Sequence, residues 1–174
     1  MTSGARKSSL RRFVVLAVAV LAALGYYNRD ELPIPRGPGS AQRQSSGEWR
    51  TVVRVVDGDT LLLDGNERVR LIGVDTPESV DPRRPVEHFG KEASAFVRRT
   101  VEGRKVRLES GNEARDNFGR TLAFVYMEDG SMLNAEIIRQ GYGHAFTRYP
   151  FRYSEQFRAF EREARENQRG LWAR

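Results

Sequence analysis

Three short clusters of acidic and basic residues contain side chains suited to binding a metal ion and phosphate. They are Asp57-Gly58-Asp59-Thr60, Asp75-Thr76-Pro77-Glu78 with Arg70 five residues before it, and Asp116-Asn117-Phe118-Gly119-Arg120. Calcium prefers hard oxygen ligands drawn from carboxylates, backbone carbonyls and water. Asp59, Asp75 and the carbonyl of Thr76 would supply such a set if the strands that lead to them end close together.

Two arginines and a glutamate add the groups that chemistry at phosphorus requires. The planar guanidinium groups of Arg70 and Arg120 can each bind two phosphate oxygens. Attack on phosphorus adds negative charge to those oxygens, so a metal ion and two arginines stabilise the transition state more than the ground state. Glu78 is the candidate for positioning a water molecule or accepting its proton.

Each cluster also has a purely structural interpretation. The Asp57–Thr60 cluster can be a simple turn, and the Asp75–Glu78 cluster can be a helix-capping box. Arg70 in a strand can form a cross-strand ion pair, and Gly119-Arg120 can be a solvated hairpin. The order and spacing of the clusters, taken together, favour the functional interpretation.

The residues between the clusters follow the periodicities of strands and helices. Alternating apolar residues predict strands at 49–56, 60–63 and 67–74, joined by turns at 57–59 and 64–66. Two further strands are predicted at 105–109 and 121–127, and helices at 86–101, from 132 to about 140 and over about 154–167. Five strands and three helices predict an α+β fold, a five-stranded OB-type β-barrel with three helices.

The first 27 residues have the composition of an export or membrane-anchoring segment. Four basic residues precede an unbroken apolar run at 13–24, which a glycine and two tyrosines follow. A basic stretch before about 7–15 apolar residues is typical of a secretory signal, and terminal tyrosines also suit a membrane interface. Residues 1–27 are therefore predicted to be a signal peptide or an uncleaved signal anchor; a helix buried in the domain is the structural alternative. Either of the first two predicts an extracytoplasmic domain, secreted or membrane-anchored through residues 13–27.

Residues 28–48 form a predicted flexible linker, and the folded domain is predicted at 49–174. The linker is rich in Pro, Gly, Ser and Gln, and ordering it would cost more entropy than its few apolar side chains recover. Residues 1–48 hold seven basic and three acidic residues, +4 of the chain's net +6, so the domain is only mildly basic and its bulk charge does not argue for nucleic acid. The absence of cysteine excludes disulfides, thiolate metal sites and cysteine nucleophiles.

Five longer stretches occur in an order and with gaps that match one known family. They are VVDGDTLLL, VRLIGVDTPES, FGKEASAFVR, DNFGRTLAFVY and MLNAEIIRQGYGHA. Over about residues 50–172 the chain resembles the staphylococcal nuclease (thermonuclease) family. The resemblance implies a phosphodiesterase that cleaves single- and double-stranded DNA and RNA and leaves 3′-phosphates.

The resemblance also implies a single calcium ion and the residues that hold it. The matching positions are Asp59, Asp75 and the carbonyl of Thr76. Asp57 matches an aspartate near the metal and is expected to act from outside its coordination shell.

The implied catalytic residues agree with the interpretation reached from the clusters. Arg70 and Arg120 match the arginines that bind phosphate and assist catalysis. Glu78 matches the glutamate assigned to the attacking water.

The chain departs from the family pattern where the substrate is expected to bind. The family's lysine–tyrosine pair before Gly-Arg is Asn117-Phe118 here, which removes one positive charge and one hydroxyl. Downstream aromatic residues can stack on bases, a further arginine can replace the lost charge, and two arginines lie in a basic loop at 79–85 that can equally be a solvated charge run. The candidate substrate contacts are Arg83, Arg84, Phe118, Phe146, Arg148 and Tyr149.

Two other functions remain open from the sequence. A metal-free nuclease with paired histidines would have to use His88 and His144, which also suit surface or packing roles. A catalytically inactive OB-type nucleic-acid-binding module tethered at the membrane would keep the barrel without the reaction. For both the enzyme and the binding module a monomer is expected, with DNA and RNA as partners and a membrane as a further partner if the N-terminal segment is uncleaved.

Overall fold

Seven strand segments and three α-helices make up the described part of the chain. The computed structural model describes residues 47–80, 85 and 87–173. The strands are β1 Arg50–Asp57, β2 Thr60–Leu63, β3 Glu67–Leu71, β4 Val74–Asp75, β5 Lys105–Arg115, β6 Thr121–Met127 and β7 His144–Ala145. The helices are α1 Gly90–Val101, α2 Leu133–Arg139 and α3 Ser154–Glu166, with short 3₁₀ turns at Asp64–Asn66 and Gly170–Trp172.

Five of the strands form one mixed sheet whose pairing closes on itself. The order is β1-β2-β3-β6-β5, and β1 pairs again with β5. β3 and β6 are parallel, whereas the other pairs are antiparallel. This mixed sheet with three helices is consistent with the predicted OB-type α+β fold. β4 and β7 form a separate two-stranded sheet.

The alternating strands turn their apolar faces into a common core. In β3, Val69 and Leu71 are buried, while Arg68 is exposed and Arg70 is partly exposed on the opposite face. Helices α1 and α3 add further fully buried apolar side chains to this core, among them Val97, Val101, Phe157 and Phe160. The buried face thus leaves Arg70 directed away from the core, as the sequence pattern predicts.

Three element boundaries differ by more than one residue from those predicted from periodicity. The strand predicted at 67–74 is divided, because Gly73 has a φ of 74° and separates β3 from β4. The first helix begins at Gly90, because Phe89 has a left-handed φ of 71°. β5 continues to Arg115, six residues beyond its predicted end at Glu109. The last part of β5 pairs with β6 after a register shift, which apolar periodicity does not detect.

The predicted signal or anchor at 1–27 lies outside the described residues, as does nearly all of the predicted linker at 28–48. In the part of the chain that the structure describes, no helix has the length and apolarity needed to cross a membrane.

A buried asparagine joins β6, the end of β3 and α2. Asn134 is fully buried, and its Oδ1 accepts the backbone N–H of Val125 at 2.9 Å. Its Nδ2 donates to the carbonyls of Ile72 at 2.9 Å and Ala123 at 3.2 Å. One side chain thereby satisfies three backbone groups close to the turn that leads into β4.

Replacing Asn134 with alanine is expected to destabilise the protein strongly. Each buried backbone group left without a partner costs about 1–3 kcal/mol, so we expect a total loss of about 2–4 kcal/mol in the free energy of unfolding. Urea denaturation at constant m-value measures it. The exposed Asn117→Ala serves as the matched control. Equal stability of the two variants would show that the three hydrogen bonds contribute little.

Candidate active site

One guanidinium group joins the first and second polar clusters. Arg70, on β3, forms an ion pair through Nη1 with Oδ2 of Asp59, and its Nη2 lies 3.4 Å from Oδ1 of Asp75. Nη2 also donates to the carbonyl of Val74 at 3.1 Å. The backbone N–H of Leu71 donates to the carbonyl of Asp59 at 2.9 Å, which brings the β1–β2 turn to the end of β3. The predicted meeting of these strand ends is thus present in the structure.

Asp59 is buried, and it is held from two sides. Its Oδ1 accepts the hydroxyl of Thr60 at 2.9 Å, and its Oδ2 accepts the backbone N–H of Thr76 at a longer 3.4 Å. A Cβ on Gly58 would lie only 2.7 Å from Oγ1 of Thr76. The glycine of the first cluster is therefore required for the two turns to pack against each other.

The oxygen groups of this site fit a hard divalent cation in type. Asp59 and Asp75 both reach the same guanidinium group, so their carboxylates face a common centre of positive charge. Carboxylates, a backbone carbonyl at Thr76 and water are the ligands that calcium prefers. Among the described residues there is no group of three or more His, Cys, Asp or Glu side chains that could hold a metal ion. The candidate set instead has two carboxylates and one carbonyl.

The third cluster reaches the first through Arg120. Its Nη1 lies 3.5 Å from the hydroxyl oxygen of Thr60, which itself donates to Asp59. Asp116 holds this arginine: its Oδ2 accepts Nε at 2.7 Å, and its Oδ1 accepts the backbone N–H groups of Arg120 and Phe118. The three clusters are thus connected, although 60 residues separate Thr60 from Arg120.

The carboxyl group of Asp116 has a lowered pKa. Burial alone would raise the pKa, but the backbone and side-chain hydrogen bonds from Arg120 and the backbone hydrogen bond from Phe118 outweigh it. Asp116 is therefore held as a carboxylate that fixes the direction of the Arg120 guanidinium group.

Glu78 lies on a segment whose ends are joined by hydrogen bonds. Its backbone N–H donates to Oε2 of Glu87 at 3.1 Å, and its carbonyl accepts the N–H of Glu87 at 2.9 Å. The Oε1 of Glu78 accepts the backbone N–H of Val80 at 2.8 Å. Glu78 follows the candidate calcium ligands Asp75 and Thr76 in the chain, and these hydrogen bonds join it to Glu87 and Val80.

Asp57 is buried at the end of β1, and its carboxylate accepts hydrogen bonds from two serine hydroxyls and a backbone N–H. Its Oδ1 accepts the hydroxyls of Ser79 at 2.6 Å and Ser94 at 2.9 Å, and the backbone N–H of Gly58 at 2.8 Å. Burial raises the pKa of the Asp57 carboxyl, and the neighbouring charge of Asp59 raises it further, while these hydrogen bonds act in the opposite direction.

Comparisons with known proteins identify the family of the chain. The family described as staphylococcal nuclease homologue matches residues 68–174. A thermonuclease of Staphylococcus intermedius is 36% identical over 165 residues, covering 92% of this chain and 95% of that protein. The chain belongs to the staphylococcal nuclease family. It is accordingly a hydrolase of the nuclease type, which confirms the enzyme class predicted from the sequence.

Two other relatives place the similarity in proteins of different length. A thermonuclease of Staphylococcus hyicus is 32% identical over 174 residues, covering 97% of this chain and 99% of the relative. Endonuclease YhcR of Bacillus subtilis (strain 168) is 34% identical over 146 residues, which cover 76% of this chain but 12% of that protein. The same domain thus occurs in a much larger protein.

Four of the six candidate substrate contacts of this nuclease are described, and they lie on two exposed surfaces. Phe118 is 85% exposed, and its ring lies 5.4 Å from Cζ of Arg120. Phe146 and Tyr149 are also exposed, with ring centroids 6.1 Å apart, and Arg148 lies over the Tyr149 ring at 5.9 Å.

The second of these surfaces adjoins the segment that carries Asp75. The backbone N–H of Phe146 donates to the carbonyl of Gly73 at 2.9 Å, and β7 pairs with β4. Arg83 and Arg84, the remaining candidates, lie outside the described residues.

Both histidines make local packing contacts. His144 has its Nδ1 3.3 Å from Oε1 of Glu161 and meets the Trp172 ring edge-on. His88 is exposed and lies beside the ring of Phe89. These contacts correspond to the surface and packing roles that the sequence left open for them.

Sequence reasoning did not identify Ser79, Ser94 or Glu87, although all three contact residues of the clusters. Ser79 and Ser94 have no distinctive spacing, because each contacts Asp57 only through the folding of the chain. The single signal was the position of Ser79 directly after Glu78.

Replacing Asp116 with asparagine is expected to change the acid stability of this nuclease. The pKa of the folded state lies below the ordinary 3.8. The ionised carboxylate therefore adds stability above the unfolded pKa, and that stability is lost as pH falls through the folded pKa. We expect the wild type to be more stable than Asp116→Asn at pH 7, and the difference to shrink progressively below pH 3.8.

Urea unfolding at a series of pH values measures this difference. The exposed Glu113→Gln, near the end of β5, is the control. A gap between wild type and Asp116→Asn that stays constant across the series would contradict a charge-dependent role for Asp116.

Proposed function

We propose that this domain is a calcium-dependent, sugar-non-specific endonuclease that hydrolyses phosphodiester bonds of DNA and RNA to 3′-phosphate products. The observation that carries the proposal is the continuous set of contacts from Arg120 through Thr60, Asp59 and Arg70 to Asp75. Two arginines and two carboxylates converge in it from three separate parts of the chain. The thermonuclease and endonuclease relatives support the nuclease part of this proposal.

The proposed cation ligands are Asp59, Asp75 and the carbonyl of Thr76. A bound calcium ion would act as a Lewis acid on a phosphate oxygen. Asp59 is suited to a fixed ligand because it is buried and held by Thr60 and Thr76. Asp75 is 54% exposed at its side chain, so it lies on the side open to solvent and substrate.

The proposed role of Arg70 and Arg120 is to bind the scissile phosphate. Their side chains are partly exposed, at 20% and 27%, so both remain accessible to an oxygen anion. Asp116 holds the direction of Arg120, which lowers the entropy lost when the guanidinium group binds phosphate. Hydrogen-bond donors that are in position before the reaction begins stabilise the negative charge that develops on the phosphate oxygens.

The proposed role of Glu78 is to orient the attacking water and accept its proton. Glu78 follows the proposed cation ligands Asp75 and Thr76 in the chain, and two hydrogen bonds join its backbone to Glu87. In this proposal the carboxylate acts on the water from outside the coordination shell of the cation.

The exposed aromatic residues are proposed to bind bases without sequence preference. Every base has a π-face, so stacking on Phe118, Phe146 or Tyr149 tolerates any sequence. Arg148, together with Arg83 and Arg84, would add positive charge along the phosphate backbone.

The domain is further proposed to act outside the cytoplasm as a monomer. The location outside the cytoplasm rests on the basic and apolar pattern of residues 1–27, which is typical of an export signal or anchor, whereas the monomer is the default expectation.

Replacing Glu78 with glutamine is expected to lower kcat by about 10²–10⁴-fold, the usual contribution of general acid–base catalysis. The full chain would be incubated with plasmid, single-stranded DNA and RNA in calcium, in magnesium and in excess chelator. We expect rapid degradation of all three polymers in calcium and almost none in chelator.

The exposed Glu166→Gln, at the end of α3, is the matched control and should keep wild-type activity. If the folded wild type binds DNA in millimolar calcium and leaves it intact, the proposed endonuclease fails and the nucleic-acid-binding module replaces it.

Replacing Tyr149 with alanine is expected to weaken substrate binding while the catalytic step is retained. Loss of one stacked base costs about 1–3 kcal/mol, so KM for single-stranded DNA should rise at least several-fold with kcat nearly unchanged. Steady-state kinetics on an oligonucleotide measures both. A Tyr149→Phe variant, which keeps the ring, should behave like the wild type; a loss in both variants would assign the effect to the hydroxyl instead of stacking.

A further inference from the structure

Three polar side chains from distant parts of the chain meet next to Glu78, at the residue that follows it. Asp57 ends β1, Ser79 follows Glu78, and Ser94 lies in α1. The two serine hydroxyls lie 2.8 Å from each other, and both lie within 2.9 Å of Oδ1 of Asp57. Asp57 and Ser94 are buried, and Ser79 is half-buried. We call Asp57, Ser79 and Ser94 the hydroxyl–carboxylate triangle.

The hydroxyl hydrogens of the triangle can alternate between hydrogen-bond acceptors. Each serine has one hydroxyl hydrogen, whereas the triangle has three oxygen–oxygen contacts. A hydrogen that leaves one contact therefore has another acceptor within reach. The backbone N–H of Gly58 adds a further donor to the same carboxylate oxygen at 2.8 Å.

Hydrogen bonds hold the chain on both sides of Glu78. Before it, the backbone N–H of Thr76 faces Asp59. After it, the hydroxyl of Ser79 donates to Asp57.

The backbone of Pro77 and Glu78 also packs closely against Gly90, the first residue of α1. A Cβ on Gly90 would lie 2.7 Å from the carbonyl oxygen of Glu78 and 3.0 Å from that of Pro77. The side chain of Glu78 is therefore displayed from a backbone with little freedom to shift.

We propose that Asp57, Ser79 and Ser94 are positioning residues for Glu78, acting through the backbone that joins Ser79 to Glu78. The inference rests on the proposed function, in which Glu78 serves the attacking water. The triangle contacts neither Arg70 nor Arg120, and its link to the active site is the covalent step from Ser79 to Glu78 together with the turn at Gly58. Its loss should therefore affect the catalytic step more than substrate binding.

The test uses the full chain with the substitutions Ser79→Ala and Ser79→Thr. Threonine keeps the hydroxyl, and position 79 is only half-buried. We expect Ser79→Ala to lower kcat by about 10- to 100-fold, because small displacements of a catalytic group have effects of that size. KM and the calcium concentration for half-maximal activity should change less than about twofold. Ser79→Thr should restore most of kcat.

A double-mutant cycle distinguishes positioning from a general loss of structure. If Ser79 acts through Glu78, Ser79→Ala should lower kcat in the wild-type background and have almost no further effect in the Glu78→Gln background. Ser94→Ala should follow the same pattern, and circular dichroism with urea unfolding would confirm that each variant is folded. The exposed Ser110→Ala, on β5, is the matched control and should leave kcat unchanged.

The outcomes separate this inference from the proposed function. Loss of activity in Glu78→Gln with unchanged kcat in both Ser79→Ala and Ser94→Ala would overturn the positioning role and leave the nuclease proposal intact. Equal kcat losses from Ser79→Ala in the two backgrounds would also overturn it, since the serine would then act independently of Glu78. A calcium-loaded wild type without activity would overturn the proposed function itself.

Discussion

The ion pairs of Arg70 with Asp59 and Asp75 are the interactions on which the arrangement of the site depends. A buried aspartate is costly unless its charge is compensated, and the guanidinium group provides that compensation from the neighbouring strand. To reach both carboxylates, the β1–β2 turn and the start of β4 must lie on either side of the end of β3. The hydrogen bond from the N–H of Leu71 to the carbonyl of Asp59 supplies this geometry in the backbone.

Close approach between turns is the second condition, and it depends on side-chain size. Gly58 packs against Thr76, and Gly73 turns the chain between β3 and β4 with a φ of 74°. At Gly73 a Cβ would also meet the ring of Phe151 at 2.4 Å, so both the backbone conformation and the space exclude a side chain. Small residues thus bring the polar clusters together, while Asn134 satisfies the backbone carbonyl of Ile72 at the same bend.

The charged groups and the hydroxyl groups of the site have separate proposed roles, phosphate binding for the first and positioning of Glu78 for the second. Arg70 and Arg120 lie where the charge of a phosphate can be met, and Asp116 holds one of them in position. In the described part of the chain, hydrogen bonds join Asp57, Ser79 and Ser94 to one another and to the backbone N–H of Gly58. Such a division leaves the two arginines partly exposed, while Asp57 and Ser94 are buried and Ser79 is half-buried.

The sequence by itself determined the five strands of the closed sheet, the three helices and the three polar clusters, because these are matters of local periodicity, turn chemistry and residue spacing. The alternation of Val69 and Leu71 with Arg68 and Arg70 was enough to direct Arg70 away from the core. Only the tertiary structure decided which groups meet across long separations, such as Asp57 with Ser94, 37 residues apart. Such contacts depend on how strands pair and helices pack, and no periodicity of the chain encodes the direction of a single hydroxyl. The division at Gly73 and the late start of α1 belong to the same class, because a positive φ is set by the space that neighbouring elements leave.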